Sequence, residues 1–154
     1  GRRKRRLRRG EYKMYKAILL PIDLAHDSSW KKSVPVARQL AETFGAKLHA
    51  ITVVQDIRNA VVSQYFPKDY EETLARDAAE KLSALVAAEL PGIEVTEHIA
   101  IGQVYREIVQ AAEKNGCDLI VTGTHGRRGV NRMILGSQAI KVLHHSEIPV
   151  LVVR

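Results

Sequence analysis

The chain has a single cysteine, few aromatic residues (5%) and no apolar run approaching the length of a bilayer span. Each shortage closes a class of explanation. One thiol forms no internal disulfide, and Cys117, beside the apolar run 119–121, reads as a small buried thiol without chemistry of its own. A span needs about 20 consecutive apolar residues, so membrane insertion is not expected. No apolar segment with a small-residue cleavage site follows the basic N-terminus, and that segment has no Ser and no helical apolar face. Neither a secretory signal nor a transit peptide is indicated, and a cytoplasmic location is expected. The glycine-rich stretch near the C-terminus also lacks the better-known phosphate motifs. Gly136 is followed by Ser137 and Gln138 rather than Lys, and no GxGxxG occurs. His144 and His145 show no metal-ligand spacing with Cys or acidic residues, so no protein-held metal is expected.

The charge is concentrated in one place. Of 24 basic and 17 acidic residues, eight and one fall within residues 1–13, which carry the whole net charge of +7; from Met14 onward 16 of each sign remain. A like-charged run without apolar periodicity is expected to be disordered. Met14 stands directly before the first apolar run, where a start codon is expected. Residues 1–13 therefore read as an addition to the natural chain or as upstream translation, with an RNA-binding arm as the other reading. The remaining 14–154 suit one domain, which at this size buries roughly 70% of its unfolded-chain surface. Nucleic acid is not the expected partner of that neutral domain.

Apolar runs and helical patterns alternate along it. "KAILLPID" is a buried strand stopped by Pro21 and ending near Asp23. "SSWKKSVPVARQLAETFGA" puts Val34, Ala37, Leu40, Ala41 and Phe44 on one helical face, with Ser28 or Ser29 as cap, Gly45 as stop, and Pro35 kinking the helix or shifting its start. "AKLHAITVV" is a second strand, and "QDIRNAVVSQYFPKDY" a long loop with partial order. The next helix carries Leu74, Ala78, Leu82, Leu85 and Ala88 in register and is ended by Pro91 and Gly92. "IEVTEHIAIG" alternates, as an edge strand does; a helix with Val104, Ile108, Val109 and Ala112 inward follows. "CDLIVTG" is a continuous apolar strand, "SQAIKVLHHSEI" a helix and "PVLVVR" the last strand.

Five strands alternating with four helices predict an α/β fold, an open flavodoxin-like parallel sheet in the order 3-2-1-4-5 with helices on two faces. The last strand, Val150 to Val153, would form an apolar edge without a blocking charge, and such an edge predicts a homodimer. In that order the helices after strands one and four lie on opposite faces, so the carboxyl ends of these two strands open a ligand crevice. Pro21, Ile22 and Asp23 fall on one side of it and the loop after Gly123 on the other. Starting the last helix at Ser137 makes Ser137 its cap, avoids a glycine inside the helix, and leaves Thr124 to Gly136 as a functional loop. A helix N-terminus with flexible glycine backbone and Arg127, Arg128 and Arg132 nearby suits a polyphosphate. Asp23 is read as a ligand-binding carboxylate. With His125 across the crevice it also raises a hydrolase reading, although no third group orients the pair.

The spacing Gly123, two residues, Gly126, nine residues, Gly136, Ser137, together with "ILLPID" and "IPVLVVR", resembles the ATP-binding branch of the universal stress protein family over Met14 to Arg154. The resemblance implies the five-stranded fold and dimerisation through the last strand. It also implies a role in stress resistance with regulatory nucleotide binding, at most slow ATP hydrolysis, and a downstream protein partner. It implies that Asp23 and the backbone around Val53 line the adenine and ribose pocket, while Gly126, Arg127, Arg128 and Gly129 after it, and Gly136, Ser137 and Gln138 hold ribose and phosphates. Bound ATP normally brings Mg2+.

Overall fold

The computed structural model describes residues 14–55, 69–124 and 136–154. The basic tail, the loop of residues 56–68 and the glycine-loop segment 125–135 lie outside the described residues. The elements follow in the expected alternation: β1 (Ala17–Pro21), α1 (Ser33–Phe44), β2 (Lys47–Gln55), α2 (Tyr70–Glu89), β3 (Val95–Gly102), α3 (Val104–Lys114), β4 (Leu119–Gly123), α4 (Ser137–His145) and β5 (Val150–Val153). The strands form one parallel sheet in the order β3-β2-β1-β4-β5. No helix among the described residues is long and apolar enough to cross a membrane.

Side-chain alternation along the strands divides the core in two. Ile18, Leu20, Leu48, Ala50, Leu119 and Val121 face α1 and α2, which contribute Val34, Ala37, Ala41 and Leu82. Ala17, Leu19, Ile51 and Ile120 face the other way, onto Ile108 and Ala112 of α3 and Val142 of α4. Both faces of β1 are thus covered, which is why its five residues are all buried and read as a continuous apolar run. Cys117 belongs to the second layer; burial, reinforced by the charge of Asp118, pushes its thiol up to about 11, so it stays protonated and inert.

The sheet is held together most sparingly at its centre. β2 and β3 pair without interruption from Leu48–Val95 to Gln55–Gly102, whereas β1 and β4 pair only at Ile18–Leu119 and Leu19–Ile120. Below that seam the Asp118 carboxylate accepts the N–H groups of Lys16 (2.9 and 3.0 Å) and Ala17 (3.2 Å), while its own N–H donates to the Ala17 carbonyl at 2.9 Å. Above Leu19–Ile120 the β1–β4 ladder is not continued.

Local departures from the sequence expectations have physical causes. Neither Ser28 nor Ser29 caps α1: both lie in a short 3-10 turn, Asp27–Ser29, and the helix begins at Ser33. Pro35 accordingly shifts the start rather than kinking the helix. It occupies the first turn, where a missing N–H is tolerated. Gly45 ends α1 in the left-handed region (φ 64°), and the Ala46 N–H returns to the Ala41 carbonyl at 3.0 Å. In α2, Ala88 is exposed, and Val86 packs on the core in its place. The β1 ladder ends at Pro21 rather than near Asp23, although the Ile22 N–H still reaches the Ile51 carbonyl at 2.8 Å.

On the α3 side of the sheet, His49 Nδ1 and His98 Nε2 lie 2.9 Å apart across β2 and β3. Burial lowers both imidazoles below their ordinary value of 6.5, and His49 is lowered further by the charges of His98 and Lys47. A depressed folded-state value means that the stability is present in full above 6.5 and is lost as the pH falls through the folded-state values. The thermal midpoint should therefore drop between pH 7 and pH 5, and a His98→Gln variant should show a flatter dependence. Parallel pH profiles for the two proteins would contradict this assignment.

Candidate functional site

Each helix of a parallel α/β fold runs back antiparallel to the strand it follows, so the amino ends of α1, α3 and α4 gather at the carboxyl edge of the sheet. At that edge the β1–β4 ladder has ended, α1 leaves toward one face and α4 lies on the other. The gap between them is the expected ligand position in such a sheet.

One lip is the segment after β1. Pro21 and Ile22 are buried, and the Ile22 carbonyl accepts a hydrogen bond from Thr52 Oγ1 (2.9 Å), which fastens the segment to β2. Val53, the next residue of β2, is half-buried and packs on the α3 side. Asp23 begins a closed turn. Its Oδ1 accepts the Ala25 N–H at 2.9 Å, and its Oδ2 lies 3.1 Å from Nδ1 of His26. These bonds hold the direction of the carboxylate, and its side chain remains 41% exposed. The hydroxyl of Ser29 closes the turn from behind, accepting the Asp23 N–H (3.2 Å) and facing the carbonyls of His26 (2.7 Å) and Asp23 (3.0 Å).

The other lip starts at Gly123, the last residue of β4. A Cβ there would sit 2.9 Å from the carbonyl carbon of Ser29 and closer still to its oxygen. Glycine is required because the backbone of the 3-10 turn rests directly on the strand end. Thr124 continues beside β5, its N–H 3.3 Å from the Val153 carbonyl. The lip resumes at buried Gly136 and the exposed Ser137. Here the structure corrects the expected cap. Gly136, in an extended conformation (φ −60°, ψ 151°), occupies the cap position, Ser137 is the first helical residue, and among the described residues no side chain caps the helix. The first-turn N–H groups have no intrahelical acceptor, and no acidic residue stands among them. Gln138 is half-buried, and its Oε1 accepts the Tyr105 N–H at 3.2 Å, so it joins the first turns of α3 and α4.

Of the residues singled out from the sequence, Pro21, Ile22, Asp23, Val53, Gly123, Gly136, Ser137 and Gln138 gather at this edge. His125, Gly126, Arg127, Arg128, Gly129 and Arg132 lie outside the described residues. Sequence reasoning paired Asp23 with His125 and overlooked His26; a histidine three residues after an aspartate that starts a turn was the available signal. Thr52 and Ser29 were also missed as site residues, because their hydroxyls act on backbone atoms at positions that periodicity does not reveal. Among the described residues no group of three or more His, Cys, Asp or Glu is placed to hold a metal ion.

The universal stress protein family profile matches residues 14–154. The chain belongs to the universal stress protein family. It is 31% identical to universal stress protein G of Shigella flexneri over 144 residues, covering 92% of this chain and all of that relative. Among solved structures it is similar to universal stress protein UspA of Lactobacillus plantarum (TM-score 0.69, 27% identity, 91% of this chain and 98% of that one). It is also similar to a universal stress protein solved in complex with cAMP (TM-score 0.59, 26% identity, 91% and 97%).

Within this member, Gly123→Ala should force Ser29 and β4 apart at a buried position. We expect about 1–3 kcal/mol of destabilisation, as for overpacking elsewhere, measured as a lower urea midpoint. An unchanged midpoint would mean that the close approach is not a constraint.

Proposed function

We propose that the protein is an adenine-nucleotide-binding stress regulator that holds ATP, with its accompanying Mg2+, in the crevice between the ends of β1 and β4. The observation that carries this reading is the opposition of an acceptor and a donor lip. Asp23 offers a fixed, partly exposed carboxylate to the hydroxyl and amino groups of a nucleoside. The first turn of α4 offers N–H groups that no side chain among the described residues caps, and no acidic side chain, to phosphates. The solved relative in complex with cAMP supports an adenine nucleotide as the ligand class. In this reading Pro21, Ile22 and the backbone at Val53 border the base. Gly123, His125, Gly126, Arg127, Arg128, Gly129, Gly136 and Ser137 surround ribose and phosphates, and Gln138 contributes by holding α3 against α4. Residues 14–154 form the binding domain, without a part for residues 1–13. The nucleotide-bound state is read in the cytoplasm by a protein partner.

The expected outcome is an ATP-dependent rise in the thermal midpoint that Asp23→Ala largely abolishes. Loss of a hydrogen bond to a charged group corresponds to about 1.5–3 kcal/mol, or roughly ten- to a hundredfold in affinity by calorimetry. No shift at millimolar ATP would overturn the reading. A slow ATPase or nucleotidyl transferase using Asp23 or His125 is the second reading. The hydrogen bond that orients His26 on Asp23 is the observation that favours testing it, by following ATP over hours with Mg2+.

Dimerisation through Val150–Val153 belongs to the same proposal. β5 pairs on one side only, with β4, and presents Leu151 at 40% exposure, close to the values of Ile140 (38%) and Leu143 (40%) on α4. Leu151→Lys should convert a dimer to a monomer in sedimentation without loss of the fold. A wild-type monomer at high concentration would refute this arrangement.

A further inference from the structure

We infer that Ser29 is a positioning residue of the nucleotide site, acting through Asp23 on the nucleoside half of the ligand; the inference rests on the nucleotide-binding reading above. Ser29 is 4% exposed, and its hydroxyl is already occupied by backbone, so its task is internal. One side chain holds both polar backbone groups of Asp23. Oγ accepts the Asp23 N–H, and its single proton serves the carbonyls of His26 and Asp23. The residue is itself pinned from two sides. Its carbonyl accepts Ser33 Oγ at 3.1 Å from the fully buried start of α1, and it abuts Gly123 at the end of β4.

Ser29 is therefore where the lip carrying the carboxylate is referenced to the opposite lip. The Asp23 side chain gets its direction from bonds within the turn, to the Ala25 N–H and to His26. The turn as a whole gets its position from Ser29. Removing the hydroxyl leaves the internal bonds of the carboxylate intact but frees the turn to shift relative to β4. Displacements well below a van der Waals radius are enough to lose a directed hydrogen bond to a ligand. Among the described residues that hydroxyl bonds to Asp23 and His26 and not to the first turn of α4.

The test compares wild type, Ser29→Ala, Ser29→Thr, Asp23→Ala and the Asp23→Ala/Ser29→Ala double variant by calorimetry against ATP, adenosine and inorganic tripolyphosphate. Thermal melts serve as the folding control. Ser29→Ala should weaken ATP and adenosine about tenfold and leave tripolyphosphate within about twofold. Ser29→Thr, which keeps the hydroxyl, should restore ATP binding. The double variant should bind ATP no worse than Asp23→Ala alone, since both changes remove one interaction. Wild-type affinity in Ser29→Ala, an equal loss for all three ligands, or additive losses in the double variant would each overturn the inference. If wild type binds neither ATP nor adenosine, the nucleotide-binding reading fails first and takes this one with it.

Discussion

The contact between the Ser29 carbonyl and the bare Cα of Gly123 is the constraint on which the rest of the site depends. A parallel sheet provides a crevice wherever successive helices leave on opposite faces, but it does not fix how wide the crevice stands. Here the width follows from the thickness of two backbones in direct contact. Any side chain at position 123 would wedge the lips apart, and any looseness at position 29 would let one lip slide. Polar bonding then locks what sterics allow: the hydroxyls of Ser33, Ser29 and Thr52 each satisfy a backbone group of the loop after β1 or of the turn behind it.

Much of this was legible from the residues because burial on two faces leaves a strong pattern. The runs at Ala17–Leu20 and Leu119–Val121 read as central strands, and the alternation around Thr96 and His98 fitted an edge. With those strands placed, topology alone brought Asp23 and Gly123 together. The glycine spacing then pointed to the family independently of any strand argument.

The illegible parts share a cause. Ser28 and Ser29 look like helix caps because a cap is the commonest use of serine before an apolar period. The actual start at Ser33 depends on the 3-10 turn, which is set by Asp23 and Gly123 and not by local propensity. Ser137 likewise reads as a cap, yet Gly136, an extended and buried residue, occupies that position. His26 was hidden because its bond to Asp23 lies within an irregular turn, where neither a period of two nor one of 3.6 applies. Tertiary contacts decided each of these cases, and a single sequence carries little trace of them.

The sparse seam between β1 and β4 has a mechanical meaning. The sheet is two half-sheets, β3-β2-β1 and β4-β5, stitched at Ile18–Leu119 and Leu19–Ile120, with Asp118 as a rivet at one end and the Ser29–Gly123 contact as a stop at the other. A rivet resists separation, whereas a stop only limits approach. The central seam is thus fastened at the amino ends of its strands by Asp118 and bounded at the mouth by backbone lying on backbone.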